Sequence, residues 1–209
     1  MKAKKINGNF DIYDYITVKI ADFFKANVEM NDIEQEELYL GILNIVVNIT
    51  KITFILILAY IFSLVKEVII IMAAFSALRI FAAGLHARKS FMCTITAVAA
   101  FIGGAFLSVN YPMNYFPALI SIIAITLLLY VYAPADTENR PIIGKEKRRT
   151  LKLWTLAVSV FIIIINVFMK SKLFVNLTFL AMLYQLVSVL PITYKILKRR
   201  YNNYEEYEE

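Results

Sequence analysis

Six stretches of the chain are almost wholly apolar: 38–65, 68–85, 93–109, 115–133, 153–169 and 173–190. A helix that crosses a bilayer needs roughly 20 mostly apolar residues, within a range of about 17–25. The first stretch exceeds this and contains Lys51, so it tilts, kinks or begins in the membrane interface. The second carries Arg79 and the third is only just long enough, so this pair either crosses, crosses with strong tilt, or forms a re-entrant hairpin. Ahead of them, Phe10, Tyr13, Ile16, Ile20 and Phe24 recur at three- and four-residue steps, with Asp11, Asp14, Lys19, Asp22 and Lys25 between them. That is one apolar stripe on a helix, suited to the membrane interface or to a neighbouring helix; the alternative is a frayed, solvated segment. Asn31 followed three residues later by Glu34 predicts the start of a second helix through a reciprocal cap.

The pattern divides the chain into an amphipathic cytoplasmic or interfacial segment (1–37), a polytopic membrane domain (38–197) and a charged tail (198–209). Composition agrees. Apolar residues make up 60% and charged residues 18%, against about 45–50% and 25% in a soluble domain. The expected class is an all-α integral membrane protein with about six transmembrane helices. The basic residues 1–8 lead into no apolar run or small-residue cleavage site, so they do not read as a cleaved signal peptide.

Charge assigns the sides. If all six stretches cross, every Lys and Arg except Lys51, Lys66, Lys170 and Lys172 falls on one face of the membrane. The positive-inside rule makes that face, with both termini, cytoplasmic. The net charge of +6 then speaks of topology and anionic lipid, and nothing in the pattern suggests a nucleic-acid partner. On that face, Pro134 and Pro141 bracket a loop that leads into a basic cluster, Lys145, Lys147, Arg148, Arg149 and Lys152. The tail turns from basic to acidic and reads as a solvated end.

The segment with chemistry runs from Arg79 to Cys93 and holds the chain's one histidine, His86, and its one cysteine. No metal-ligand cluster or cofactor motif accompanies them. On an unbroken helix, His86 and Cys93 would share a face but stand roughly 10.5 Å apart along the axis, beyond the reach of a thiol–imidazole pair. They can cooperate only if the chain bends between them. Gly84 and the polar run 87–90 are reasons to bend. Ser90 as an N-cap would set Cys93 in the first turn of the next helix. There the helix dipole, with Arg88 and Lys89, favours an anionic sulfur. His86 would accept the thiol proton and return it to a leaving amine. The plainer reading, a buried cysteine beside an interfacial histidine, stands alongside.

Arg79, Gly84, His86, Ala87 and Cys93, in this order and spacing, resemble the signature of the AgrB family, the accessory gene regulator B peptidases of Gram-positive quorum sensing. The likeness extends to Asn48-Ile49-Thr50-Lys51, Tyr132-Ala133-Pro134-Ala135 with Pro141-Ile142, and Leu190-Pro191-Ile192. It implies a membrane cysteine endopeptidase acting on an AgrD-like propeptide with an amphipathic leader, a short core and an acidic tail. Cys93 would cut between core and tail with His86 as base and acid, and hold the core as a thioester. A Cys or Ser of the substrate would then close a thiolactone or lactone. Arg79, Gly84 and Ser90 would support the site. In place of the more basic run that family members often carry before Pro141, this chain has Glu138-Asn139-Arg140. Lys145, Lys147, Arg148 and Arg149, with Arg88 and Lys51, are then the cations available to substrate.

Charges as costly in a bilayer as Lys51 and Arg79 need partners, such as substrate, a lipid headgroup or a carboxylate, or else must snorkel to the interface. The expected partners are the propeptide, membrane lipid and a second copy of the chain in a homodimer, with no cofactor. A peptide transporter without covalent chemistry is the competing function, and a non-catalytic membrane scaffold the third; either should tolerate Cys93→Ser.

Overall fold

The computed structural model describes residues 12–28, 30–85, 90–138 and 140–208. Its helices, in chain order, are α1 (Ile12–Asn27), α2 (Asp32–Ile61), α3 (Val65–Ala82), α4 (Ser90–Asn110), α5 (Tyr115–Tyr132), α6 (Lys145–Met169), α7 (Lys172–Val189) and α8 (Pro191–Ile196), followed by a 3-10 turn at Asn203–Tyr207. The described residues contain no strand, only isolated bridges pairing Ala83 with Ala135 and Thr137 with Arg140. Five helices, α2 and α4 to α7, are long and apolar enough to cross a membrane. α3 has 18 residues, about 27 Å, and carries Lys66, Glu67 and Arg79 at its two ends. The protein is an all-α, multi-pass membrane protein. The second and third apolar stretches each form a single unbroken helix, α3 and α4.

By internal packing the chain forms two compact units, Met1–Ile57 and Leu58–Glu209. In the first, the cap expected from sequence is present in both directions. The Glu34 N–H donates to Asn31 Oδ1 at 2.9 Å, and the Asn31 N–H donates to Glu34 Oε2 at 2.9 Å. Two of the four orphan N–H groups at the start of α2 are thereby addressed. The Tyr39 hydroxyl donates to Asp14 Oδ1 at 2.8 Å and ties α2 to α1. Along α1, Thr17 and Ala21 are buried, while Ile16, Ile20, Phe23 and Phe24 stay exposed. Of the anticipated stripe, Ile16, Ile20 and Phe24 are exposed and Tyr13 is half-buried, while Phe10 lies outside the described residues. α2 has 30 residues, about 45 Å. It outruns the roughly 30 Å hydrocarbon layer and begins in the acidic, exposed turn at 34–37.

The second unit is built around α7. Val175, Leu177, Ala181, Met182, Leu186 and Val189 are all buried there, together with the polar Asn176, Thr178 and Gln185. α7 is the most buried of the candidate spans and the central one: α3, α4, α5 and α6 all pack on it. Its polar side chains are spent on neighbours. Asn166 of α6 donates to Thr178 Oγ1 at 3.0 Å, and Asn176 clasps the Met113 backbone ahead of α5. Gly104 of α4 lets that helix approach closely, because a Cβ there would lie 2.9 Å from the Tyr184 hydroxyl. Phe81 of α3 stacks on Trp154 of α6 with ring centres 5.5 Å apart.

Candidate active site

α3 ends at Ala82, and the chain then reverses sharply. Ala83 has φ 51° and Gly84 φ 111°, left-handed geometry that costs an alanine about 1–3 kcal/mol and a glycine little. The reversal turns three successive carbonyls back toward Arg79, one turn upstream. One guanidinium nitrogen donates to the Ala83 carbonyl at 2.7 Å and to Ser188 Oγ at 2.9 Å. The other donates to the Gly84 and Leu85 carbonyls at 2.9 and 2.6 Å. α7 completes the clamp. Gln185 donates to the Ala83 carbonyl at 2.8 Å, and the Leu85 N–H donates to the Ser188 carbonyl at 2.9 Å. From the third side, the Gly84 N–H donates to the Ala135 carbonyl at 2.7 Å, and the Ala135 N–H donates to the Ala82 carbonyl at 3.1 Å.

Sequence reasoning sought the partner of Arg79 in a substrate, a headgroup or a carboxylate. Its partners are instead the carbonyls at the end of its own helix and one serine hydroxyl. The cation lies at the negative end of the α3 dipole and satisfies carbonyls of the three residues that follow the helix. Gly84 is confined by the same clamp: a Cβ there would stand 2.7 Å from an Arg79 nitrogen, 2.7 Å from Ser188 Oγ and 2.8 Å from the Ser188 carbonyl. A cleft of about 350 Å³ opens beside it, lined by Ser76, Arg79, Gly84, Asp136, Thr137 and Arg140, among others.

Cys93 lies in the first turn of α4 and is half-buried. Its sulfur and the Arg79 guanidinium are close enough to interact electrostatically. Thr96 Oγ1 donates to the Met92 and Cys93 carbonyls, at 2.8 and 3.0 Å. The backbone leaves helix at Ala83–Leu85, upstream of His86, and the segment in which a bend between His86 and Cys93 is expected lies outside the described residues up to Lys89. His86, Arg88 and the Ser90 side chain lie outside the described residues. Lys51 belongs to the first unit, mid-way along α2, half-buried and without an ion pair among the described residues.

The basic cluster is divided. Lys145, Lys147 and Arg149 are exposed at the start of α6. Arg148 is held by the chain's own tail, its fork donating to the Glu208 carboxylate at 2.6 and 2.7 Å. The tail is not the solvated end that its composition suggests. The buried Asp136 carboxylate accepts the Asn203 N–H at 2.9 Å and the Tyr204 N–H at 2.8 Å, and the Tyr194 hydroxyl donates to the Asp136 carbonyl at 2.7 Å. Burial, reinforced by the nearby Asp136 charge, pushes the Tyr194 phenol well above its ordinary value. The hydrogen bonds from Arg148 and the Gly144 N–H hold the Glu208 carboxyl down to about 2. Arg199 pairs with Glu138 at 3.0 Å, and Arg200 pairs with Glu206.

Gln185, Ser188, Asp136 and Glu208 escaped sequence reasoning as members of these networks. A signal existed for the first two. Polar residues three apart in an apolar span face one side of the helix and mark an inward face.

Fold and site together define a polytopic α-helical membrane protein in which a half-buried cysteine stands at a helix start beside a clamped, strained turn. The chain belongs to the accessory gene regulator B family, AgrB, whose model matches residues 17–189. It is 36% identical to an AgrB-like protein of Clostridium acetobutylicum over 97% of both chains. It is 31% identical to an AgrB-like protein of Listeria monocytogenes, over 96% of this chain and 100% of that one. To accessory gene regulator protein B of Staphylococcus aureus the identity is 26%, over 83% of this chain and 91% of that one. No solved structure gives a significant match.

Proposed function

We propose that this protein acts in quorum sensing as a membrane cysteine endopeptidase that removes the acidic tail of an AgrD-like propeptide and cyclises the remaining core. Cys93 is the nucleophile. Its thiol proton passes to His86 as the sulfur attacks the carbonyl carbon at the core–tail junction. Collapse of the tetrahedral adduct breaks the C–N bond, and His86 delivers the proton to the departing tail amine. The core remains as a thioester on Cys93. A substrate thiol or hydroxyl then attacks that thioester, its proton returns to the Cys93 sulfur, and a thiolactone or lactone leaves. No water enters this second step, which apolar helices and lipid around the cysteine favour by limiting competing hydrolysis. The site faces the cytoplasm in this reading, on the side of both termini and of the basic start of α6.

The observation that carries the proposal is the position of Cys93, half-buried in the first turn of α4. The clamp on Ala83–Leu85 supplies rigidity at the point where the chain turns toward His86. Intact mass spectrometry of the lipid-embedded protein mixed with an AgrD-like propeptide tests the reading. The expected result is a covalent adduct lacking the tail mass, labile to hydroxylamine and absent in Cys93→Ala. A released peptide lighter by one water than the linear core follows. Intact propeptide and unmodified enzyme, with binding demonstrated, refute the peptidase and leave the transporter.

A further inference from the structure

Glu208 receives three charge-assisted hydrogen bonds on one carboxylate: two from the Arg148 fork, at 2.6 and 2.7 Å, and one from the Gly144 N–H at 2.6 Å. The receptor side of this contact is built rather than incidental. Arg148 also donates to the Ile142 carbonyl at 3.0 Å and lies 3.8 Å over the Tyr204 ring. With Glu208 bound, its side chain is 17% exposed. A fork held on two sides before a carboxylate arrives loses little freedom in binding one.

The ligand side is the opposite. Glu205, Glu206 and Tyr207 are exposed, the Glu208 side chain is 21% exposed against Arg148, and all follow a firm root where Asn203 and Tyr204 are bound to Asp136. The segment can therefore leave Arg148 without loss of the root. Around the contact, Lys145, Lys147 and Arg149 stay exposed and make no ion pair among the described residues. The tail thus anchors on Arg148 at one edge of a larger basic surface, with Lys145 acting on Glu208 by charge alone and Lys147 and Arg149 making no ion pair among the described residues.

We propose that Arg148 and the Gly144 N–H form a receptor for the carboxylates of an acidic peptide segment, and that the chain's own acidic end occupies this receptor through Glu208 until such a segment displaces it. The occupant is tethered, so it competes at a high effective concentration with any peptide that arrives from solution. This rests on the proposed function in one respect, that the arriving segment is the acidic tail of the propeptide. The device sets a threshold: a peptide with several acidic residues can engage Lys145, Lys147 and Arg149 as well as Arg148, whereas a single carboxylate must compete with Glu208 alone.

The test measures binding without cleavage. A fluorescent peptide of sequence Glu-Glu-Tyr-Glu-Glu, a copy of residues 205–209, is titrated by anisotropy onto the full chain in lipid nanodiscs. Glu208→Gln should bind it about 5- to 10-fold more tightly than wild type, because the receptor is no longer mostly filled. A chain ending at Tyr204, which removes the occupant by another route, should show the same gain. Arg148→Lys placed in the Glu208→Gln background should abolish the gain, since an ammonium cannot reproduce the fork. Equal affinity in wild type, Glu208→Gln and the shortened chain overturns the proposal, as does a gain that survives Arg148→Lys. Peptide binding without an acyl-enzyme would sink the peptidase reading alone, and an acyl-enzyme without competition would sink this inference alone.

Discussion

Replacing Gly84 by alanine adds one carbon atom and should cost this protein about 3–5 kcal/mol. Left-handed backbone at φ 111° accounts for roughly 1–3 kcal/mol of that in a residue with a Cβ. Space accounts for the rest. The new atom would stand 2.7 Å from an Arg79 nitrogen and 2.8 Å from the Ser188 carbonyl, and a backbone carbonyl cannot swing aside as a side-chain end can. Relief requires Arg79 or the turn to move. Either movement breaks at least one hydrogen bond from the charged guanidinium, each worth about 1.5–3 kcal/mol. For a chain of this size, roughly 2–4 °C of melting temperature is lost per kcal/mol, so the midpoint should fall by about 10 °C. Trp154, the single tryptophan, stacks on Phe81 close to the turn, so its fluorescence can follow the melt in detergent. Gly41 and Gly103 provide the contrast, because a Cβ at either would meet nothing within 4 Å. Gly41→Ala and Gly103→Ala should raise stability slightly, by about 0.5–1 kcal/mol each, as expected for a helical glycine. If Gly84→Ala melts with wild type, or if all three glycines respond alike, the clamp does not carry the weight assigned to it.

Arg79→Lys should lose about 2–3 kcal/mol, since one ammonium cannot reach four acceptors spread over two planar nitrogens; chemical denaturation of the variant beside wild type checks this. Asp136→Asn should free the tail, because the buried carboxylate accepts N–H groups from both Asn203 and Tyr204; a glutamate-specific protease should then remove the last residues faster than in wild type. Glu208 titrates near 2 in the folded chain, below the ordinary carboxylate value. Its contribution to tail docking is therefore complete above about pH 4.3 and is lost as pH falls through about 2; a carbon-13 shift titration of glutamate-labelled protein should show one carboxyl holding its charge at pH 3. Cys93→Ser should abolish covalent capture of the propeptide while leaving the Trp154 melt within about 2 °C of wild type, roughly 1 kcal/mol.

Local chemistry was legible in the sequence; distant partnership was not. The Asn31–Glu34 cap was readable because both partners lie within one turn, and the stripe of α1 because helical periodicity is itself local. The reversal that ends α3 was foreshadowed by Gly84. By contrast, Arg79 meets Ser188 across 109 positions, and no rule of spacing selects that residue from among the serines of the apolar stretches. The misreading of the tail has the same origin. Glu205, Glu206 and Glu208 look like solvated charges until folding brings Arg148 and the Gly144 N–H to one of them. Lys51, as costly in a bilayer as Arg79, makes no ion pair among the described residues, whereas Arg79 has its partners. Their nature, carbonyls of its own helix end, followed only from the reversal at Ala83 and Gly84.

The burial of α7 has a consequence for how the chain is made. Among the five helices able to cross a membrane it has the lowest mean hydropathy, 1.5, and it is the last of them to be synthesised. Until it emerges from the ribosome, Arg79 lacks Ser188, the Ala83 carbonyl lacks Gln185, and the Asn166 side chain lacks Thr178. The earlier helices must therefore wait in the bilayer with a vacant centre and exposed polar groups, and α7 enters that vacancy rather than bare lipid. A nascent chain stopped before Lys172 already has the α3–α4, α3–α6 and α5–α6 contacts open to it, and lacks the one helix on which all four converge.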